Sequence, residues 1–406
     1  MADVPTGNAV VGQSGGPTAV INQSLVGVIE AVKGSRRIPR LLGARHGVRG
    51  IISEQFVDLK RLGARQLELV AGTPAAALGS TRDKPDEEYC RKIFDSFAAN
   101  DVRYFFYIGG NDSADTARIV NDLGRQAGYE LRVFHIPKTI DNDLRVTDHT
   151  PGYGSAARFV ASAFMGEDRD NCSLPGVKIS VVMGRHAGWL TAASTLGRGD
   201  DDDGPHLVYV PETPFSLTKF ARDVEDVYVR LGRCLIAVSE GICDQSGAPV
   251  VQALAEKMNL SVERDSHGNV QLSGSGTLGD FLARYVAENV KPGGRKLRVR
   301  ADTYGYLQRS FAGYASPVDQ AEARLAGRKA VEFAMSGQTE GSVVFKRAKG
   351  PAYRISCARA ELYQVARETR SLPREFINKA GNGVTDAFRR YAMPLTGGLP
   401  KVGKLL

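Results

Sequence analysis

The chain has 406 residues, 42% of them hydrophobic and 24% charged, enough for two or three domain-sized units with real cores. That composition excludes a fibre or a disordered tail, and the 45 glycines exceed the usual share of about 7%. A net charge of +8 admits either nucleic acid or small polyanions such as sugar phosphates as partners.

No basic stripe interleaved with aromatics appears, which argues against nucleic acid. The five cysteines are scattered and none has CxxC spacing, so neither a zinc site nor a disulfide framework is expected. The N-terminus lacks a basic and apolar signal sequence, and no apolar run approaches about 18 residues. A reducing cytoplasm is the simplest compartment, and no membrane contact is expected.

In chain order, "NAVVGQSGG" reads as a strand ending in glycines and "TAVINQSLVGVIEAVK" as a helix. "VRYFFYIGG" is a near-continuous β-rich run followed by the helical "SADTARIVNDLGRQ", and "LRVFHIPKT" is a further strand. "VKISVVMGR", "HLVYVPE", "CLIAVSEG" and "KLRVRADTYG" are strands of the same buried kind, separated by helical segments such as "FSLTKFARDVEDVYVRL". Strands apolar on consecutive positions and alternating with helices predict parallel sheets covered on both faces. Such sheets place ligands beyond the carboxyl ends of their strands, where every motif below falls. "SVERDSHGNVQLSGSGTLGD" is expected to be a surface loop, and "GDDDDGP" (Gly199–Pro205) an acidic solvated one. From about Lys349 the chain reads as an extension with helical pieces.

Small residues at Ser14, Gly15 and Gly16 let backbone amides approach a phosphate at a helix N-terminus. There is no GxxxxGK[ST] and no clear GxGxxG. "IPKTIDND" (Ile136–Asp143) crowds Lys138, Thr139, Asp141 and Asp143 after a strand. Phosphoryl transfer to an alcohol needs a carboxylate to take the hydroxyl proton and cations to offset phosphate charge. If the segment is extended, Asp141 and Asp143 face the same way. "VVMGRHAGW" offers Gly184 for close approach and Arg185 as an anion fork, with His186 and Trp189 taken as structural. Glu240 in "AVSEG" suits sugar hydroxyls, and Arg300, Tyr306 and Arg309 in "RVRADTYGYLQRS" suggest a phosphate clamp.

"SGG", "GGNDS", "PKTIDND", "MGRHAGW", "SEG" and "YGYLQR" come in the order and approximate spacing of the phosphofructokinases, which the chain resembles over roughly residues 8–348. The resemblance implies two Rossmann-like α/β/α domains with mainly parallel sheets, the active site in the cleft between them, and a C-terminal helical extension. It places a phosphoryl-donor domain at 1–152 with about 308–348, a fructose 6-phosphate domain at 153–307 and the extension at 349–406. It implies Asp141 as the base on the sugar's C1 hydroxyl, flanked by Thr139 and Asp143, with Lys138 and Asp112 at the catalytic centre. Thr139, Ile140, Asp143, Met183, Gly184, Arg185, Glu240, Arg300, Tyr306, Leu307, Gln308 and Arg309 would bind the sugar phosphate. Gly15, Gly16, Arg82, Gly110 and Ser113 would bind the donor, and Asn111, Asp141 and Asp143 would hold Mg2+. Relatives share sites across subunits, so a homodimer or homotetramer is implied.

The departures point to the donor. ATP-using members read GGDGS and PGTIDND, whereas this chain has Asp112 and Lys138 at the two variable positions, as in the pyrophosphate-dependent branch. Asp112 would fill the space of a nucleotide's α-phosphate and repel it, at a cost on the order of 4 kcal/mol for like charges about 4 Å apart at a dielectric near 20. Lys138 adds the cation that pyrophosphate, lacking an adenosine, requires. Asn111 stands where the family often has an aspartate near the metal, and Gly176 where it can have a phosphate-binding arginine. The expected reaction is reversible transfer from pyrophosphate to fructose 6-phosphate, serving glycolysis and gluconeogenesis. The competing readings are an ATP-dependent member, a non-catalytic sugar-phosphate-binding subunit, and a nucleic-acid-binding protein.

Overall fold

A computed structural model describes residues 4–250, 276–350, 352–366 and 368–404. The surface loop expected over 261–280 falls, up to residue 275, outside the described residues. The chain divides into two compact units, Met1–Ser155 with Arg309–Arg370, and Ala156–Gln308 with Ser371–Leu406.

The first unit is built on a seven-stranded sheet. Its strands are β1 (Asn8–Gln13), β2 (Leu41–Ala44), β3 (Phe56–Asp58), β4 (Val102–Gly109), β5 (Arg132–Pro137), β10 (Glu340–Arg347) and β11 (Ile355–Ala360). Their order is β11-β10-β5-β4-β1-β2-β3, parallel through the centre and antiparallel only at the two outer pairs. The consecutive apolar run of β4 is explained by its two faces. Tyr104, Phe106 and Ile108 join one core with helix α1 (Ile21–Lys33) and helix α6 (Pro317–Met335). Phe105 and Tyr107 join the opposite core, which takes in helix α2 (Asn111–Gln126). Both faces are dry, so alternation disappears from the sequence.

The second unit holds a four-stranded parallel sheet in the order β7-β8-β6-β9. These strands are β6 (Val177–Val182), β7 (Leu207–Tyr209), β8 (Cys234–Ser239) and β9 (Val299–Thr303). Helices α4 (Leu217–Leu231) and α5 (Thr277–Asn289) pack their apolar stripes on it through Phe220, Val224, Leu282 and Val286. Helix α3 (Tyr153–Ser173) follows the loop that ends the first stretch of the first unit. Its first turn is capped from afar, because the Asp319 carboxylate accepts from Gly152 N and from Ser155 N and Oγ. Burial pushes that carboxyl up to about 6.

Residues 349–406, expected as a C-terminal extension with helical pieces, divide between the two units. The first part supplies β11, which pairs antiparallel with β10, and the later part packs Phe376, Phe388 and Tyr391 around the buried Trp189 of the second unit. "ISCARA" mixes polar and apolar residues on both sides of an edge strand, so its pattern carries no strand period. The acidic stretch is also only partly solvated. Asp203 is buried, accepts from Gly199 N and Asp200 N, and pairs with Lys404 at 2.6 Å. Among the described residues no helix is long and apolar enough to cross a membrane.

Candidate active site

Three loops of the first unit leave the carboxyl ends of β1, β4 and β5, which are neighbours in the sheet. Adjacency, not sequence distance, therefore brings "SGG", "GGNDS" and "PKTIDND" to one edge. The β1 turn is tied down by Gly15 N donating to Thr81 O (2.8 Å) and by Ser80 Oγ donating to Gly15 O (2.6 Å). That bonding draws the loop carrying Arg82 to the turn.

Lys138 is the centre of this cluster. Its side chain is 3% exposed, and its ammonium donates to Gly16 O at 2.8 Å. A Cβ at Gly15 would stand 3.0 Å from Lys138 Nζ, and one at Gly16 would stand 3.0 Å from Arg309 Nη1. The two glycines thus make room for two cations on one turn. Burial lowers Lys138 to about 8, with Asp141 resisting and the neighbouring Arg309 and Arg82 adding to the fall. A buried cation kept near other cations is uncomfortable until an anion arrives.

Asp141 and Asp143 do come together, but not by strand alternation. Asn142 between them is buried and left-handed, with φ of 55°, and its side chain accepts from Thr150 N at 3.1 Å. Thr139 Oγ1 accepts from Asp141 N at 3.0 Å, so the segment bends instead of running extended. Burial and then the Asp141 charge push Asp143 up to about 7. Two carboxylates that disfavour each other's ionisation are suited to sharing a proton or a cation.

The second β-end loop opens helix α2, with Gly110 as its N-cap. Asp112 lies in the first turn but points outward. Its side chain is 62% exposed and pairs with Lys84 Nζ at 3.2 Å. The repulsion of about 4 kcal/mol expected at a dielectric near 20 is too large for this position, since an exposed and paired carboxylate contributes on the order of 1 kcal/mol or less. What remains is bulk: a paired aspartate occupies the loop where a glycine would leave it open. Ser113 Oγ faces Ser14 Oγ in a short hydroxyl pair beneath Gly109, so that hydroxyl is engaged within the protein. Asn111 Oδ1 is buried with no hydrogen-bond partner.

The second unit gathers its own loops. Glu240, 5% exposed, follows β8 and turns its carboxylate toward Gly184 N (3.5 Å), while Ser239 Oγ donates to Gly184 O (2.6 Å). Gln308, buried, accepts from Met183 N at 3.2 Å. The stretches holding Met183–Arg185, Glu240 and Gln308 thus meet. Tyr306 and Leu307 are exposed. Arg300 lies on β9 and pairs with Asp170 at 3.5 Å. Of the expected Arg300–Arg309 clamp, Arg309 stands at the donor turn, its Nη1 3.0 Å from where a Cβ at Gly16 would lie. His186, taken as a packed imidazole, is exposed, while Trp189 is buried among aromatics.

Sequence reasoning missed three supports. His135 is fully buried, its Nε2 meeting Gly109 O and its Nδ1 meeting Ser342 Oγ, both at 2.8 Å. Burial lowers it to about 4, so the neutral ring donates to the Gly109 carbonyl and fixes the β4 end. A histidine inside "VFHIP" was the only signal. Lys84 and Arg370 gave none, because their partners lie about 28 and more than 200 residues away.

The phosphofructokinase family model matches residues 8–334. A pyrophosphate–fructose 6-phosphate 1-phosphotransferase of Rhodospirillum rubrum is 55% identical over 98% of this chain and 96% of its own length. The chain belongs to the phosphofructokinase family. A second protein of that name, from Xanthomonas campestris, is 37% identical over 97% of the chain and 92% of its own length. The crystal structure of a pyrophosphate-dependent phosphofructokinase from Nitrosospira multiformis superposes with a TM-score of 0.83 at 33% identity, covering 98% of this chain and 94% of that one. A Cβ at Gly176 would lie 2.6 Å from Arg298 O, so an arginine there requires that carbonyl to shift.

Proposed function

We propose that the chain transfers a phosphoryl group from pyrophosphate to the C1 hydroxyl of fructose 6-phosphate, giving fructose 1,6-bisphosphate and phosphate. The observation that carries the donor is Lys138, a buried ammonium seated on the Gly15–Gly16 turn with Arg309 beside it. Two cations on one glycine turn match the dense charge of pyrophosphate and supply the anchoring that an adenosine would otherwise give. The paired Asp112 narrows the neighbouring loop against a longer donor. Because pyrophosphate has less driving force than ATP, the reaction runs in both directions.

In this reading the first unit binds the donor and the second the sugar. Asp141 takes the C1 hydroxyl proton as the oxygen attacks phosphorus. Lys138 and Arg309 neutralise charge on the transferring group and the departing phosphate, with Arg82, Gly110 and Ser113 around them. Thr139, Ile140, Met183, Gly184, Arg185 and Glu240 hold the sugar. Arg300, Tyr306, Leu307 and Gln308 complete the phosphate end, some of them within a homodimer or homotetramer.

Magnesium fits the donor set. Asn111 offers a buried carbonyl oxygen without a partner, and the Asp141–Asp143 pair carries repulsion that a divalent cation would relieve. Among the described residues no group of three or more His, Cys, Asp or Glu side chains is placed to hold a metal ion, so bound pyrophosphate and water would fill out the shell. The ion would neutralise phosphate charge. The enzyme is expected to work in the cytoplasm.

The test is a donor swap with purified chain and fructose 6-phosphate. Turnover with pyrophosphate and little with ATP is expected; an ATP rate equal to or above the pyrophosphate rate overturns the reading.

A further inference from the structure

The loop from Lys138 to Thr150 carries the two aspartates but has no regular secondary structure of its own. Two of its non-glycine residues are left-handed, Asn142 at φ 55° and Val146 at φ 68°. Val146 is β-branched, for which that conformation is a marked outlier. Strain of roughly 1–3 kcal/mol per such residue persists only where the surroundings impose it.

Two clamps impose it. On one side β10 holds the loop, with Phe345 N donating to Thr147 Oγ1 and Asp148 N donating to Phe345 O, both at 2.9 Å. On the other side stands Arg370. Its guanidinium donates from Nη2 to Asn142 O (2.8 Å) and from Nη1 to Thr147 O (2.8 Å) and Asp148 O (2.9 Å). Its backbone N donates to Asp143 O at 2.6 Å, and Thr369 bridges Leu144. One residue thus satisfies four carbonyls across both strained positions. It lies beyond residue 334, where the match to the family model ends.

We infer that Arg370 is a positioning residue, whose planar fork holds the Asp141–Asp143 loop in its strained reactive shape and so sets turnover rather than substrate affinity. The inference rests on Asp141 being the base. Lysine offers a single point of donation and cannot span carbonyls on both ends of the loop. A shift of about 1 Å in a catalytic group costs on the order of a hundredfold in rate.

The experiment compares Arg370→Ala, Arg370→Lys, Asp141→Asn and the Arg370→Ala/Asp141→Asn double variant in the pyrophosphate assay, with circular dichroism for folding. Expected are a kcat for Arg370→Ala lowered about a hundredfold with both KM values within about threefold, a smaller loss for Arg370→Lys, and a double variant no slower than Asp141→Asn alone. A residue that merely lowered the folded fraction would instead multiply the Asp141→Asn defect. Wild-type kcat in folded Arg370→Ala, a loss confined to KM, or a multiplicative double variant overturns the inference. If Arg370→Ala does not fold, Arg370→Lys decides: unchanged kcat refutes it, and reduced kcat at unchanged KM supports it. Near-normal turnover of Asp141→Asn would mark failure of the base assignment, a result distinct from any of these.

Discussion

Replacing Lys138 by methionine separates what the ammonium does for turnover from what it costs the fold. The lysine falls from an ordinary 10.5 to about 8, mainly through burial. Each pH unit is worth about 1.36 kcal/mol, so carrying the charge at pH 7 costs about 3 kcal/mol. Methionine removes that cost and fills similar space, but it leaves Gly16 O without its donor, a loss of about 1 kcal/mol. The variant is therefore expected to be about 2 kcal/mol more stable than the parent at pH 7. Between pH 8 and 10.5 the unfolded parent holds a proton that the folded parent has released, so the parent's stability rises with pH. The advantage of methionine is thus full below about pH 8, is lost before pH 10.5, and gives way there to the deficit of about 1 kcal/mol from the missing hydrogen bond. Urea unfolding of parent and variant across that range measures it. A Lys138→Met protein less stable at pH 7, or a gain that does not shrink between pH 8 and 10.5, would refute the reasoning. The same variant should lose roughly ten- to a hundredfold in kcat/KM for pyrophosphate, the value of one buried charged hydrogen bond.

Two further substitutions test the loops. Gly176→Arg, which restores a residue other family members can carry, should destabilise by about 2–3 kcal/mol and leave the KM for fructose 6-phosphate no lower. A stable variant with tighter sugar binding would show that the Arg298 carbonyl yields. Asp112→Gly removes only an exposed ion pair, so stability should change by less than about 1 kcal/mol. If the aspartate acts by bulk, ADP and ATP should become at least about tenfold better competitors against pyrophosphate, the scale of about 1.4 kcal/mol of relieved contact. Unchanged competition would remove Asp112 from donor choice.

The strands and their loop ends were legible because a strand dry on both faces must be apolar throughout, as "VRYFFYIGG" is. Glycines where a strand meets a helix have few other uses, which made the phosphate turns visible. Asp112 and Lys138 stood out because charge is rare in such loops. The shape of the reactive loop was not legible: "TIDND" reads as extended, and only the tertiary bonds from Thr150, Phe345 and Arg370 force Asn142 and Val146 into the left-handed region.

Nor could sequence tell that Arg309 stands on the donor turn, or that Lys84 relieves the charge of Asp112. Those facts depend on partners distant along the chain, and local pattern carries no record of them. The sequence by itself determined which chemistry the chain holds, because residue type limits what can accept a proton or bind a phosphate. Tertiary structure decided how far each charge is buried and which groups share it, because burial and pairing arise only when remote segments close around them.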